Sequence, residues 1–257
     1  MTYSDLFSLT GRRAVVIGGG GGIGREVALG LAAFGASVTV ADVNPSAAAQ
    51  TASLIGSNAG SLGLDVVDAA AVGALADAQP VDIAVTTVGI NVRKPLAQLT
   101  DADYDRVLNT NLRSVFRVIQ AFAPGMAERG RGSVIAFASI RAQVVEPGQG
   151  LYAATKAGLI QLLRTAASEY GPAGVRFNAV APGVVATELT GPIRADAAWA
   201  QAYASKSALG RWAEPSEMVG ATVFLASDAA SYVTGTVVTV DGGWTAIDGR
   251  FDPFAPR

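Results

Sequence analysis

Ala14-Val15-Val16-Ile17-Gly18-Gly19-Gly20-Gly21-Gly22-Ile23-Gly24-Arg25 is the stretch on which the fold turns. A short apolar run, rich in β-branched residues, enters five consecutive glycines. It leaves through a helical pattern, Ile23–Phe34. Glycine has no Cβ, so such a turn can be tight and its backbone can lie against a pyrophosphate. The helix N-terminus that follows favours the negative charge. Five glycines alone could equally be a flexible loop. Their place between a first strand and a first helix favours a dinucleotide cradle built from Gly18, Gly21, Gly22, Ile23 and Gly24.

Working outward, β-branched runs alternate with helical patterns along the whole chain. Ala14–Ile17, Ser37–Ala41, Ser61–Leu64, Val81–Thr86, Ser133–Ala138, Val175–Val180 and Thr236–Val240 read as strands, most of them continuously apolar, as in a parallel sheet covered on both faces. Ile23–Phe34, Ala102–Phe122, Tyr152–Tyr170 and Pro215–Ala226 read as helices. The pattern predicts a single α/β domain over 1–257, a doubly wound parallel seven-stranded sheet of the Rossmann type. The long irregular stretch Pro182–Trp212 is expected to be a functional lid over the substrate.

The second strand ends in Val40-Ala41-Asp42, about 20 residues beyond the glycines, where a carboxylate can hold both adenosine ribose hydroxyls. A 2′-phosphate there would face Asp42 at a cost of several kcal/mol. No basic residue stands at Gly21 or Val43 to offset it, so the cofactor is expected to be NAD. A plainer reading leaves Asp42 as a solvated strand end. Asp65-Val66, just past the third strand, is a candidate adenine cradle.

Composition narrows the function classes. The 257 residues are 50% hydrophobic and 16% charged, enough for a large core and too apolar for disorder. A net charge of −2 with scattered basic residues gives no reason to expect a nucleic-acid partner. There is no cysteine, so disulfides and thiolate chemistry are out. There is no histidine, so acid–base work near neutral pH needs an unusual residue, and no metal is expected. Met1-Thr2-Tyr3-Ser4-Asp5 lacks a signal-peptide pattern, and no apolar run has the length to cross a bilayer. A cytoplasmic protein is expected.

Tyr152 and Lys156 stand four apart at the start of a helix and share a face, and Ser139 lies at the ligand-binding edge of the fifth strand. A tyrosine needs help worth about 4 kcal/mol to act near neutral pH. A lysine ammonium and a positive nicotinamide can supply it by favouring phenolate. Ser139 can hold the substrate oxygen while hydride moves between carbon and cofactor. Taken singly, each residue has a plainer reading: a helix-start aromatic, a solvated charge, a turn serine.

Taken together, these residues resemble the short-chain dehydrogenase/reductase family from Gly11 to about Trp244. The family's glycine motif is similar to Ile17-Gly18 and Gly22-Ile23-Gly24, and its Tyr-three-Lys motif to Tyr152-Ala153-Ala154-Thr155-Lys156. The resemblance implies Asn111 as the active-site asparagine that interrupts a helix and anchors a proton-passing water. It implies cofactor contacts from Val88-Gly89, from Pro182-Gly183 with Val185, and from Thr187 at the nicotinamide amide. It further implies a homotetramer joined through Thr236–Val240. Two departures stand out. Ile17 replaces a threonine, and Thr86-Thr87-Val88-Gly89 replaces Asn-Asn-Ala-Gly, which puts the contacts of that segment in question. An NAD sensor or a structural subunit would need no such combination as Asn111, Ser139, Tyr152 and Lys156, so an NAD-dependent alcohol dehydrogenase or ketone reductase is expected.

For the small-molecule substrate, Arg93 and Arg141 offer donor forks suited to a carboxylate, sulfonate or phosphate. With Gln149 and the polar Glu146–Gly150 segment they suggest a polyol, sugar or sugar acid. The alternative pairs Arg141 with Glu146, leaves Arg93 solvated, and makes the chain a reductase of neutral or hydrophobic ketones. The tail Ile247–Arg257, with Phe251, Pro253, Phe254 and Pro256, reads either as a loose end or as a segment docked on a neighbouring subunit.

Overall fold

Seven parallel strands form one sheet in the computed structural model, which describes residues 3–249. They are β1 (Arg13–Ile17), β2 (Ser37–Asp42), β3 (Ala59–Gly63), β4 (Ile83–Thr86), β5 (Gly132–Phe137), β6 (Val175–Pro182) and β7 (Val237–Val240), in the order β3-β2-β1-β4-β5-β6-β7. Along each strand, alternate side chains serve opposite faces. Val15 and Ile17 enter one core with residues of α3 (Ala69–Ala78), α5 (Ser114–Glu128) and α6 (Gly150–Tyr170). Ala14 and Val16 enter the other, with α1 (Gly22–Ala33), α2 (Pro45–Ile55) and α9 (Val219–Ala226). Helices therefore cover both faces, as expected for a doubly wound sheet.

The expected strands are all present, with shifted ends. β3 begins at Ala59 and is largely exposed, because it is an edge strand with only β2 beside it. β6 runs on to Pro182 and so carries its end directly into the site. Sequence order reverses at β1 and β4, which pair with Ile17 opposite Thr86. Their C-terminal ends open a crevice there.

Two expectations need correction. The helix expected over Ala102–Phe122 is three pieces: α4 (Asp101–Leu108), a π-helical turn over Asn109–Arg113, and α5. The stretch Pro182–Trp212 is not irregular. It folds into a 3-10 turn at Glu188–Thr190, then α7 (Gly191–Arg194) and α8 (Ala197–Ala204). Both helices are too short to show a helical period, and α8 is rich in alanine. A bridge between Val185 and Ala213 closes the base of this excursion. Ile193 and Tyr203 pack under it against Ile140, Val184 and Trp244. Of the tail, Phe251, Pro253, Phe254 and Pro256 lie outside the described residues.

Candidate active site

The glycine segment sits in the crevice between β1 and β4. A side chain at Gly24 would bring its Cβ within 2.0 Å of the Gly18 carbonyl, so only glycine lets α1 begin this close to β1. Gly18 has φ +85° and lies against Thr87 and Val88. Gly21 caps α1 with no side-chain hydrogen bond and faces open space. This row of backbone suits a pyrophosphate. Thr87 donates to the carbonyls of Gly18 (3.1 Å) and Ile17 (3.3 Å), so in this chain it ties the segment after β4 to the glycine turn. Thr187 lies on the far side, close to Gly22.

Asp42 ends β2 beside these glycines. Its carboxylate accepts the backbone N–H groups of Gly20 and Asn44, each at 2.9 Å, which fixes its direction, while Val43 is exposed. Asp65 accepts the N–H of Val67, and Val66 is buried in the core beneath the crevice. Val185 is likewise buried, its carbonyl accepting the Thr190 hydroxyl at 2.7 Å. Gly183 packs directly against Asp241. A side chain at Gly89 would meet the Lys156 ammonium at 3.2 Å, so this glycine leaves room at the base of the site. The residues present fit a nicotinamide dinucleotide.

Asn111, Ser139, Tyr152 and Lys156 converge at the C-terminal edge of β4 and β5. The π turn directs Asn111 inward, where it is fully buried. Its amide receives the Ile90 N–H (2.8 Å) and donates to the Ile90 carbonyl (2.9 Å) and the Thr155 hydroxyl (3.2 Å). This clamps the segment after β4 to α6. Ser139, two residues past β5, accepts the Arg141 N–H at 3.1 Å and is hydrogen-bonded to Tyr152. Lys156 is buried, donates to the Phe137 carbonyl at 2.6 Å, and stands 5.6 Å from the Tyr152 ring centre.

Burial acts on both members of the pair. It raises the Tyr152 phenol above its ordinary range, against which the Ser139 hydrogen bond and the charges of Arg141 and Arg93 pull it back. It lowers Lys156 from 10.5 to about 8. The sequence assigned the task of favouring phenolate to Lys156 and the positive nicotinamide; in the folded chain Ser139 and the two arginines act in that direction.

Next to Tyr152 and Ser139 lies a small pocket walled by Arg93, Arg141, Gln149 and Asn91 on one side, and by Leu189, Ile193 and Tyr203 on the other. Arg141 is buried and pairs with Glu146 at 2.8 Å, as the plainer sequence reading had it. Arg93 is not simply solvated. It approaches the same carboxylate at 3.8 Å and lies 5.5 Å over the Trp199 ring. Gln149 donates to Glu146 and accepts from Asn91 Nδ2 at 2.7 Å. The Asn91 Oδ1 atom is buried with no hydrogen-bond partner among the described residues.

Residues 18–245 match the family model described as enoyl-(acyl carrier protein) reductase. A gluconate 5-dehydrogenase of Gluconobacter oxydans is 39% identical over 253 residues, covering 95% of this chain and 99% of that protein. The chain belongs to the short-chain dehydrogenase/reductase family. A galactitol 2-dehydrogenase of Cereibacter sphaeroides is 38% identical, covering 95% of this chain and 99% of the relative. Among solved structures, a gluconate 5-dehydrogenase from Burkholderia cenocepacia in complex with NADP and tartrate superposes with a TM-score of 0.91 at 36% identity. It covers 95% of this chain and 98% of its own. As a short-chain dehydrogenase/reductase, the chain is an oxidoreductase that acts on secondary alcohols with a nicotinamide cofactor.

Two site residues of this short-chain dehydrogenase/reductase, Asn91 and Tyr203, were not singled out from the sequence, and the part of a third, Glu146, was only half seen. Asn91 lies within the segment after β4 and carried no motif. Tyr203 lies in α8; its hydroxyl donates to Glu146 at 2.6 Å, and its ring stacks on Trp212 and meets Trp244 and Trp199 edge-on. Glu146 appeared as a partner for Arg141 and within a polar segment, but not as the group that gathers partners from three elements. The one available signal was the count of aromatics: all three tryptophans of the chain surround Tyr203. No helix among the described residues is long and apolar enough to cross a membrane.

Proposed function

We propose that this enzyme carries out the reversible NAD-linked oxidation of a secondary hydroxyl on a hydroxy acid, sugar or polyol. The pocket beside Tyr152 carries the reading: two guanidinium groups and two side-chain amides line it, and the buried Asn91 Oδ1 is an acceptor with no partner among the described residues. Guanidinium forks suit a carboxylate, and a buried acceptor suits a hydroxyl. The relatives support this class, since they include a gluconate 5-dehydrogenase, a galactitol 2-dehydrogenase and a D-threitol dehydrogenase, and one solved relative holds tartrate, a hydroxy acid.

In this reading Tyr152 takes the proton of the substrate hydroxyl, or returns it to the ketone. Ser139 holds the substrate oxygen, and Lys156 holds its charge beneath the tyrosine and anchors the cofactor ribose. Asn111 keeps the loop after β4 and the start of α6 in register. A bound nicotinamide supplies the hydride acceptor. Asp42, oriented by two backbone N–H groups, receives the ribose hydroxyls and disfavours a 2′-phosphate. The relatives solved with NADP make cofactor choice a sharp test. NADH absorbance with gluconate, galactitol and neutral ketones, each with NAD and NADP, should show turnover of the hydroxylated compounds and at least a tenfold preference for NAD. Equal efficiency with both cofactors contradicts the role of Asp42.

A second reading, reduction of neutral or hydrophobic ketones, is favoured by the Arg141–Glu146 pair and the apolar wall of Leu189 and Ile193. A (3R)-3-hydroxyacyl-CoA dehydrogenase is 35% identical. The same substrate panel separates the two. The proposal also takes the chain as one domain with its lid at 182–212, working as a cytoplasmic homotetramer.

A further inference from the structure

The arginines of the substrate pocket do not present their full charge to it. Glu146 lies immediately behind, with its carboxylate 2.8 Å from Arg141 and 3.8 Å from Arg93. Tyr203 of α8 donates to it at 2.6 Å, and Gln149, at the start of α6, donates to it as well. These partners come from the loop after β4, the loop after β5 and the lid, so the carboxylate cannot swing aside without loosening all three. The other basic side chains nearby do not line the pocket. Lys94 pairs with Asp103 and Arg211 with Glu217, each at 2.7 Å, Lys156 is held on the Phe137 carbonyl, and Lys206 lies over Trp244. The charged side chains that line the pocket are therefore the two arginines, with one carboxylate paired to them from behind.

Resting on the reading that these arginines receive an anionic substrate, we propose that Glu146 sets the charge of that substrate. It neutralises one guanidinium, so that the pocket accepts a monoanionic hydroxy acid and rejects a dianion. A guanidinium has five N–H donors, so Arg141 can hold Glu146 and still offer others to a ligand. One arriving carboxylate completes the charge balance. A second meets no further cation lining the pocket and adds like-charge repulsion from Glu146, which is how a site rejects a near relative of its substrate. The carboxylate acts through the arginines and does not touch the reacting atoms. It is a positioning and specificity residue.

The experiment uses three ligands of one chain length: sorbitol, gluconate and glucarate, carrying no, one and two negative charges. Their affinities for the enzyme–NADH complex are read by calorimetry, alongside kcat/KM wherever there is turnover. The wild type should bind gluconate at least tenfold better than either of the others. Glu146→Gln keeps the volume and an acceptor for Tyr203 but removes the charge. It should raise the glucarate-to-gluconate ratio at least tenfold. Adding Arg141→Gln returns the net charge to its wild-type value and should restore the gluconate preference. A Glu146→Gln variant in which both acids weaken equally shows that Glu146 is a structural clip and overturns the proposal. Should that variant fail to fold, the wild-type series still decides, because equal affinity for gluconate and glucarate overturns it too. A wild type that binds sorbitol as well as gluconate instead overturns the anionic-substrate reading, and this proposal with it.

Discussion

In the proposed reaction Tyr152 must already be without its proton to oxidise an alcohol and must carry one to reduce a ketone. Burial keeps its phenol protonated in the free enzyme, with Ser139 and then Arg141 and Arg93 pulling the other way. Removing only the hydroxyl, in Tyr152→Phe, should cut turnover by about 10²–10⁴-fold, the scale of a positioned acid–base group, while NADH affinity by fluorescence titration stays the same. Retention of more than a tenth of the turnover would take Tyr152 out of the mechanism. Oxidation needs the phenolate and reduction the phenol, so kcat should rise with pH in the first direction and fall in the second; parallel slopes would contradict this assignment. Lys156 makes stability itself depend on pH. Burial brings it to about 8, whereas an unfolded lysine keeps its proton to about 10.4. Between those values the unfolded chain binds more protons, so this residue makes stability rise with pH. Below about 8 both states are protonated and the cost of burying the charge is constant. Lys156→Met is free of that cost. Its stability relative to wild type, from urea unfolding at pH 7 and pH 9.5, should be greatest at the lower pH and shrink at the higher, and a constant difference would refute the shift.

At the scale of elements, the π turn between α4 and α5 links fold to site. A regular helix would place Asn111 on a different azimuth. The extra residue in the turn lets its amide meet both backbone groups of Ile90 and the Thr155 hydroxyl. Asn111→Ala leaves buried backbone groups unpaired and should cost about 2 kcal/mol. The melting temperature should fall by roughly 4–8 °C with no cofactor present. An unchanged melt would mean the turn holds without its asparagine. The segment 182–212, proposed as a lid, shows the opposite case. α7 and α8 have little helical signal of their own and are held by Ile193 and Tyr203 packing on Ile140, Val184 and Trp244.

At the scale of the molecule, β7 is the end of the sheet, with β6 on one side and no strand on the other among the described residues. Its valines are only partly buried. Such an edge is a liability unless something covers it. Sedimentation should therefore find a tetramer, stable on dilution to micromolar chain concentration. A monomer under those conditions would remove the proposed assembly. The edge at β3 is shorter in apolar side chains, with glycine and serine exposed, and needs no partner.

The sequence by itself determined the sheet and singled out the group proposed to react. Buried parallel strands need continuous apolar runs, a pyrophosphate turn needs glycines between a strand and a helix, and Tyr152 and Lys156 share a face through helix geometry alone. These are local rules, and they act within a few residues. Only the tertiary structure decided what surrounds that group. Thr87 replaces a lost contact because β4 happens to lie beside β1. Asn91, Glu146 and Tyr203, far apart in the chain, meet in or just behind one pocket because the loops and the segment 182–212 fold over the same edge. The charge that pocket offers is a sum over residues 93, 141 and 146, and no local pattern holds that sum. It comes from long-range packing, which brings charges within a few ångströms where burial makes their pairing count.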